Sequence, residues 1–358
     1  MTKVRSFRKD DVPEVVALRG GAFRSSEQAD EVALAAYFVE TFFGNPWYDE
    51  TLPSLVCEDD VGRIVGFLGV VPRRMTAYGV PLRVATTTQF MIAPSAPALV
   101  GSQLLRTLFA GLQGFALADV ASATSRRLWE CLGGITVTAS SLTWMRLLRP
   151  FRHIFGSAAG RGLIQRAGAL AAGPLDAVTT RLLPACEPPA VPERGVRRTM
   201  TDAELLANLG RSLDGRAIRG DYDPASLAWL LDMMARKHAY GSLHRAQILD
   251  ERDQLLGWYL FYAKPGGNAR VAHLGARPGT AAGIVLDHLF HEAWSEGCAA
   301  VSGRFDARLA EALIDRRCLV YGPQAWVLVH SRDRDLLDAI RRDDAALTRL
   351  DAEWWMAF

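Results

Sequence analysis

Residues 83–112, RVATTTQFMIAPSAPALVGSQLLRTLFAGL, constrain the fold most. An extended run rich in Thr, Val and Phe breaks at Ala93-Pro94-Ser95-Ala96-Pro97 and resumes with Leu104, Leu105, Leu108 and Leu112 at helical spacing. A strand that enters a helix through a short loop leaves backbone N–H groups unpaired at the helix start. With the helix dipole, these favour an anion such as phosphate. The same unit is also plain scaffold in α/β proteins, so its neighbours must decide its meaning.

Upstream, the pattern predicts a strand at 4–8 and a helix opened by Asp11 and Pro13. A second helix over 30–43 ends at Gly44-Asn45-Pro46. Strands at 55–58 and 64–70 flank the turn Asp59-Asp60-Val61-Gly62, and another turn falls at Tyr78-Gly79. Downstream come a strand at 114–119, a helix over 122–132 capped by Gly133-Gly134, and one or two final strands in 135–147. From Val196 the order starts again. Helices at 202–213 and 224–238 precede a hairpin across Glu251-Arg252-Asp253-Gln254. A strand at 269–274, the loop Arg277-Pro278-Gly279-Thr280 and a helix to Trp294 then repeat the central stretch. A strand at 299–303, a helix at 306–315 and a strand at 326–330 close this half. The repeated order reads as an internal duplication.

Between the halves, residues 150–192 are rich in Ala, Gly and Leu. They carry Arg152, Arg161, Arg166 and Arg181, and end in Pro188-Pro189-Ala190-Val191-Pro192. This predicts a partly helical connector with a stiff end; a basic amphipathic stretch lying on a membrane surface is the alternative. The expected divisions are 1–150, 151–194 and 195–358. A chain of 358 residues, 49% hydrophobic, is long enough for two cores. Its net charge of +2 argues against nucleic acid as a partner. Cys57, Cys131, Cys186, Cys298 and Cys318 are odd in number and lack CxxC spacing, against both a disulfide framework and a zinc site. His288 and His291 share a helix face without a third ligand, so no metal is expected. An uncharged N-terminal apolar segment and a membrane-spanning run are both missing from the sequence, and the expected location is the cytoplasm.

Two segments make the first half resemble the GNAT family of acyl-CoA-dependent N-acyltransferases. One is Ile92-Ala93-Pro94, then Ser95 to Gly101, then Leu104-Leu105, similar to the family's Val-x-Pro, Arg-x-x-Gly-x-Gly/Ala and paired leucines. The other runs from Ser122-Ala123-Thr124-Ser125 through Leu128-Trp129 to Leu132-Gly133-Gly134. It resembles Asn-x-x-Ala-x-x-Leu-Tyr-x-x-Leu-Gly-Phe. The loop arginine is absent, Leu99 stands at the first glycine, and Trp129 stands at the tyrosine that protonates the departing thiolate in many such enzymes. The second half resembles the same family more loosely, with Gly279, Gly283 and Arg277 at the phosphate position. The resemblance implies two tandem GNAT-like α/β domains, each a mixed, mostly antiparallel central sheet flanked by helices. It also implies acetyl-CoA or another acyl-CoA as co-substrate, bound by Phe90, Met91, Ile92, Leu99, Val100, Gly101, Ser102, Gln103, Ser122 and Ser125 of the first half.

Acyl transfer to an amine needs a held thioester, a polarised carbonyl and a neutral amine. Deprotonating an alkylammonium of pKa about 10.4 at neutral pH costs roughly 4–5 kcal/mol. Residues 84–92 hold no carboxylate, so Gln89 is a candidate to order a water, with Thr87 beside it toward the acceptor. Asp119 is a candidate base, although the position also suits a capping aspartate. Glu353, in the tail Glu353-Trp354-Trp355, is either a catalytic carboxyl or part of a terminal anchor. Trp47 and Tyr48 follow the second helix, where they either stack on the acceptor or cover an edge. The expected acceptor is an amine of a small molecule or amino sugar, and a homo-oligomer is compatible with the sequence. A non-catalytic ligand- or partner-binding relative and a transfer-RNA-dependent aminoacyl transferase are the rival readings.

Overall fold

The computed structural model describes residues 2–22, 30–157, 176, 187–211, 213 and 215–356. The connector expected at 151–194 lies largely outside them, including Arg161, Arg166, Arg181 and Cys186. In chain order the first elements are β1 (Lys3–Ser6), α1 (Val12–Ala22), α2 (Glu31–Phe43), β2 (Leu55–Glu58), β3 (Ile64–Ala77) and β4 (Val80–Ile92). Then come α3 (Val100–Phe109), β5 (Phe115–Ala121), α4 (Ala123–Cys131), β6 (Ile135–Thr136), β7 (Thr143–Leu147), α5 (Pro150–Ser157), β8 (Val196–Thr199), α6 (Asp202–Gly210) and β9 (Ile218–Gly220). The remainder is α7 (Pro224–Ala235), β10 (Ser242–Leu249), β11 (Leu255–Ala263), β12 (Asn268–Ala276), α8 (Thr280–Ser295), β13 (Ala300–Arg304), α9 (Ala310–Asp315), β14 (Leu319–Tyr321), β15 (Trp326–His330) and α10 (Arg334–Arg341).

Two mixed sheets result, flanked by helices as expected. One has the order β1-β2-β3-β4-β5-β15-β6 with β9 beside β3; the other is β14-β7-β13-β12-β11-β10-β8. Each is antiparallel apart from one internal parallel pair, β4 with β5 and β12 with β13. The sheets do not follow the linear order of the chain. β7, expected among the last strands of the first half, pairs with β13 and β14. β15, expected to close the second half, pairs with β5 and β6. The two compact units are accordingly residues 1–138, 216–230 and 325–358 in one case, and 139–215 and 231–324 in the other. Hydrophobic alternation gives a strand and its buried face, but not which of two sheets it joins.

In the first unit the long β3–β4 hairpin turns at Tyr78 and Gly79, both with positive φ (53° and 80°), as a two-residue hairpin turn requires. One sheet face packs Leu55, Val70 and Ala85 against Val100, Leu104, Leu105 and Leu108 of α3. Those leucines are the helical-spacing residues of the central stretch. The other face packs Met75, Val84 and Leu117 against Leu336, Leu337 and Ile340 of α10. The second unit's core centres on Tyr259, Phe261 and Val271 against Val285, Leu286 and Leu289 of α8.

Candidate active site

The site in the first unit begins where two strands part. β4 and β5 are in register over Val84↔Phe115, Ala85↔Ala116 and Thr86↔Leu117, and no further pair follows. Beyond Thr86, β4 continues to Ile92 while β5 continues to Ala121. On its other side, β4 bulges against β3. Gly69 pairs with Thr88 and Phe67 with Met91, so Leu68 faces both Gln89 and Phe90. Gln89 has φ 51°, an uncommon conformation for a residue with a side chain. A bulge leaves its extra residue outside the ladder, and strain of this kind concentrates at functional sites.

A cavity of about 300 Å³ opens in the gap. Thr87, Thr88, Gln89 and Phe90 line it from β4, and Ala118, Val120 and Ala121 from β5. Ser122, Ser125 and Trp129 line it from α4, with Arg19 from α1 and Glu353 from the C-terminal tail. Ser122 caps α4 by accepting the Ser125 N–H at 3.1 Å. Trp129 is held edge-on by Phe109, centroids 5.0 Å apart. The Arg19 Nε–H donates to Gln89 Oε1 at 3.2 Å, and burial pulls the Arg19 guanidinium below its ordinary range.

Glu353 is the carboxyl of this cavity. Its Oε1 accepts the N–H of Asp119 at 3.2 Å and of Val120 at 3.1 Å, and Thr88 hydrogen-bonds the same side chain from the opposite strand. The Glu353 N–H in turn donates to Asp119 Oδ1 at 2.8 Å. Burial, with the Asp119 charge second, pushes the Glu353 carboxyl up to about 8. The two candidate carboxylates thus have different tasks. Asp119 is 4% exposed and holds the tail, whereas Glu353 reaches the cavity. Tyr37 adds to the anchoring by donating its hydroxyl to the Met356 carbonyl.

The structure brings Thr87, Gln89, Phe90, Ser122, Ser125 and Glu353 together at one cavity. Thr87 also donates to the Leu117 carbonyl at 3.2 Å, which ties the two strands where they begin to part. Met91 is a core residue at 1% exposure. Ile92 packs on the α3 side, where a Cβ on Gly101 would come within 2.8 Å of it. Val100 is fully buried, Leu99 is exposed, and Ser102 Oγ returns its hydrogen to the Leu99 carbonyl. Gln103 turns its amide to the Thr2 hydroxyl, 2.8 Å away. The side chains of Met91, Val100 and Gln103 are therefore committed within the protein, and any contact they make with a cofactor falls to the backbone. Trp47 is corrected outright: it is 5% exposed and enclosed with Trp229, Tyr222 and Arg73, so it offers no ring face to an acceptor. Tyr48 is exposed against Phe43 and does not line the cavity. Arg19 and Thr88 were missed. Nothing in the spacing of α1 marks Arg19, and Thr88 sits in a threonine run that reads as strand-forming.

In the second unit the start of α8 opens on a cavity of about 840 Å³, lined by Gly279, Thr280, Gly283, Asp287 and Arg316. A Cβ on Gly283, in the first turn of α8, would lie 2.6 Å from the Arg316 guanidinium, which is itself paired with Asp287 at 2.7 Å. Among the described residues no His, Cys, Asp and Glu cluster has the form of a metal site. No helix among them is long and apolar enough to cross a membrane.

No family model and no curated protein sequence matches the chain. Solved structures do. A probable N-acyltransferase of Enterococcus faecalis, a conserved protein of unknown function, aligns over 92% of this chain and 73% of its own at 11% identity, with a TM-score of 0.59. A GCN5-related N-acetyltransferase from Kribbella flavida aligns over 93% and 72% at 12% identity, TM-score 0.56. N-myristoyltransferase of Saccharomyces cerevisiae, solved with bound myristoyl-CoA, aligns over 92% and 79% at 9% identity, TM-score 0.51. The chain has the GNAT fold.

Proposed function

We propose that the chain is an acyl-CoA-dependent N-acyltransferase, with acyl transfer in the gap between β4 and β5 of the first unit. The observation that carries this is Glu353, a carboxyl fixed between two parted strands at the wall of a cavity and raised to about 8. A base of that strength is matched to an ammonium proton near neutral pH, where an ordinary glutamate is too weak. The fold supports an acyl-CoA thioester, acetyl or longer, as donor. The bulge at Gln89-Phe90 interrupts the ladder, and backbone N–H groups freed there would meet the thioester carbonyl, where negative charge develops. The α3 start would carry the phosphates without a loop arginine, relying on backbone donors.

Glu353 takes one proton from the attacking ammonium and releases it to solvent, the amine nitrogen bonds to the carbonyl carbon and gives its second proton to Glu353, and the C–S bond breaks as the intermediate collapses. The departing thiolate, of pKa about 8.5 when free, takes up a proton that Glu353 holds at nearly equal strength. One carboxyl thereby performs both transfers, and the indole of Trp129 does not need to donate. The acceptor is an amine of a small molecule or amino sugar. The test is thiol release from acetyl-, hexanoyl- and myristoyl-CoA over an amine panel, with Glu353→Gln alongside. Turnover lost in the variant supports the reading. Acyl-CoA binding without turnover in either protein would establish the rival, a ligand-binding relative, which the substitution of Trp129 for tyrosine favours.

A further inference from the structure

Independent of acyl transfer, the first unit buries a cation that no carboxylate among the described residues touches. Arg73 of β3 is 3% exposed. Its guanidinium lies 3.8 Å from the Trp47 ring centroid, 5.5 Å from Trp355 and 5.7 Å from Tyr222. Nη2 donates to the Leu350 carbonyl at 2.7 Å and to the Tyr222 hydroxyl at 3.4 Å, both uncharged; Nη1 has no partner. Asp351 faces the same cluster, but it accepts from the Tyr222 hydroxyl and from Thr348, so it meets Arg73 only through that hydroxyl. The surrounding indoles repeat the deficit. Trp47 packs edge-on against Trp229 at 5.7 Å and Trp229 against Trp355 at 5.4 Å. The Nε1–H of all three is buried without an acceptor.

Four buried donors in one cluster lack acceptors, and one belongs to a group that keeps its charge in proteins. Buried donors are almost always satisfied, and a buried charge is almost always paired. Cation–π contact offsets part of the burial but satisfies no N–H group. A guest that answers both deficits must accept hydrogen bonds, donate none and carry negative charge. We propose that this cage of Arg73, Trp47, Trp229 and Trp355 binds a small monovalent anion of the halide class, which completes the packing of the C-terminal tail against β3.

Thermal unfolding of the whole chain, titrated from sodium gluconate to sodium chloride at constant ionic strength, tests this. The expected result is a saturable rise in Tm of about 2–4 °C. Arg73→Met should abolish it. Trp229→Phe, which keeps the ring and removes one donor, should shift the midpoint to higher chloride while leaving Tm in gluconate close to that of the parent; this variant carries the test should Arg73→Met fail to fold. Crystals soaked in bromide should show an anomalous peak within hydrogen-bond reach of Arg73 Nη1. A chloride response that is absent, or linear and equal in parent and Trp229→Phe, overturns the proposal. So does a bromide-free site in which water satisfies the donors.

Discussion

At the scale of single residues, the proposed chemistry rests on Glu353 and what surrounds it. Because its carboxyl is raised to about 8, kcat/KM should climb with pH and level off above that value. Glu353→Gln should lower kcat/KM by about 10²–10⁴-fold. Asp119→Asn keeps the acceptor for the Glu353 N–H but removes the neighbouring charge. The pH midpoint should therefore fall below 8, and an unmoved midpoint would show that Asp119 has no electrostatic hold on Glu353. Stability follows with a definite sign. A carboxyl whose folded pKa is raised binds more protons folded than unfolded between about 4.5 and 8, so stability falls as pH rises through that window. Glu353→Gln escapes this loss, and its Tm should gain on the parent's from pH 5 to pH 9. That Glu353 reaches the cavity while Asp119 braces it was not legible in the sequence. Both are lone acids near an expected strand end or tail, and only the fold sets one against the other.

At the scale of elements, the parted strands and the bulge depend on close approach. Gly69 sits opposite Thr88, and a Cβ there would meet the Phe42 ring at 2.7 Å and the Thr88 carbonyl oxygen at 2.8 Å. Gly69→Ala should destabilise the protein by about 1–3 kcal/mol and disturb the bulge, as a loss of acyl-CoA binding would report. In the second unit, Glu292 of α8 accepts from Arg197, Tyr259 and, at 3.3 Å, His244. These partners outweigh burial and hold it at about 2. Its contribution is present above the ordinary glutamate range and lost as pH falls toward 2. Glu292→Gln should cost about 2–3 kcal/mol at pH 7 by urea unfolding, less than a fully enclosed pair because Arg197 is part-exposed. The central strand, loop and helix were readable from Thr-rich alternation and leucine spacing. The bulge was not, since no glycine or proline marks Gln89.

At the scale of the whole chain, two sheets flanked by helices were legible as a repeated order of elements, but the sheet assignments of β7 and β15 were not. Either strand suits either sheet by its apolar content, and the choice lies in long-range pairing. The first sheet needs β15 beside β5, so a fragment of residues 1–150 should show no cooperative thermal transition. A sigmoidal melt from that fragment, with near-native circular dichroism, would sink the assignment.

The position of β15 also sets a timetable. On a ribosome adding about 5–20 residues each second, the leading portion emerges with one flank of β5 bare. It stays so for the time taken to make some two hundred more residues, until Trp326–His330 arrives. The tail that delivers Glu353 follows directly. A nascent chain therefore acquires its carboxyl only after the platform beneath it has closed, and premature termination leaves a sticky ribbon rather than a half-built cavity.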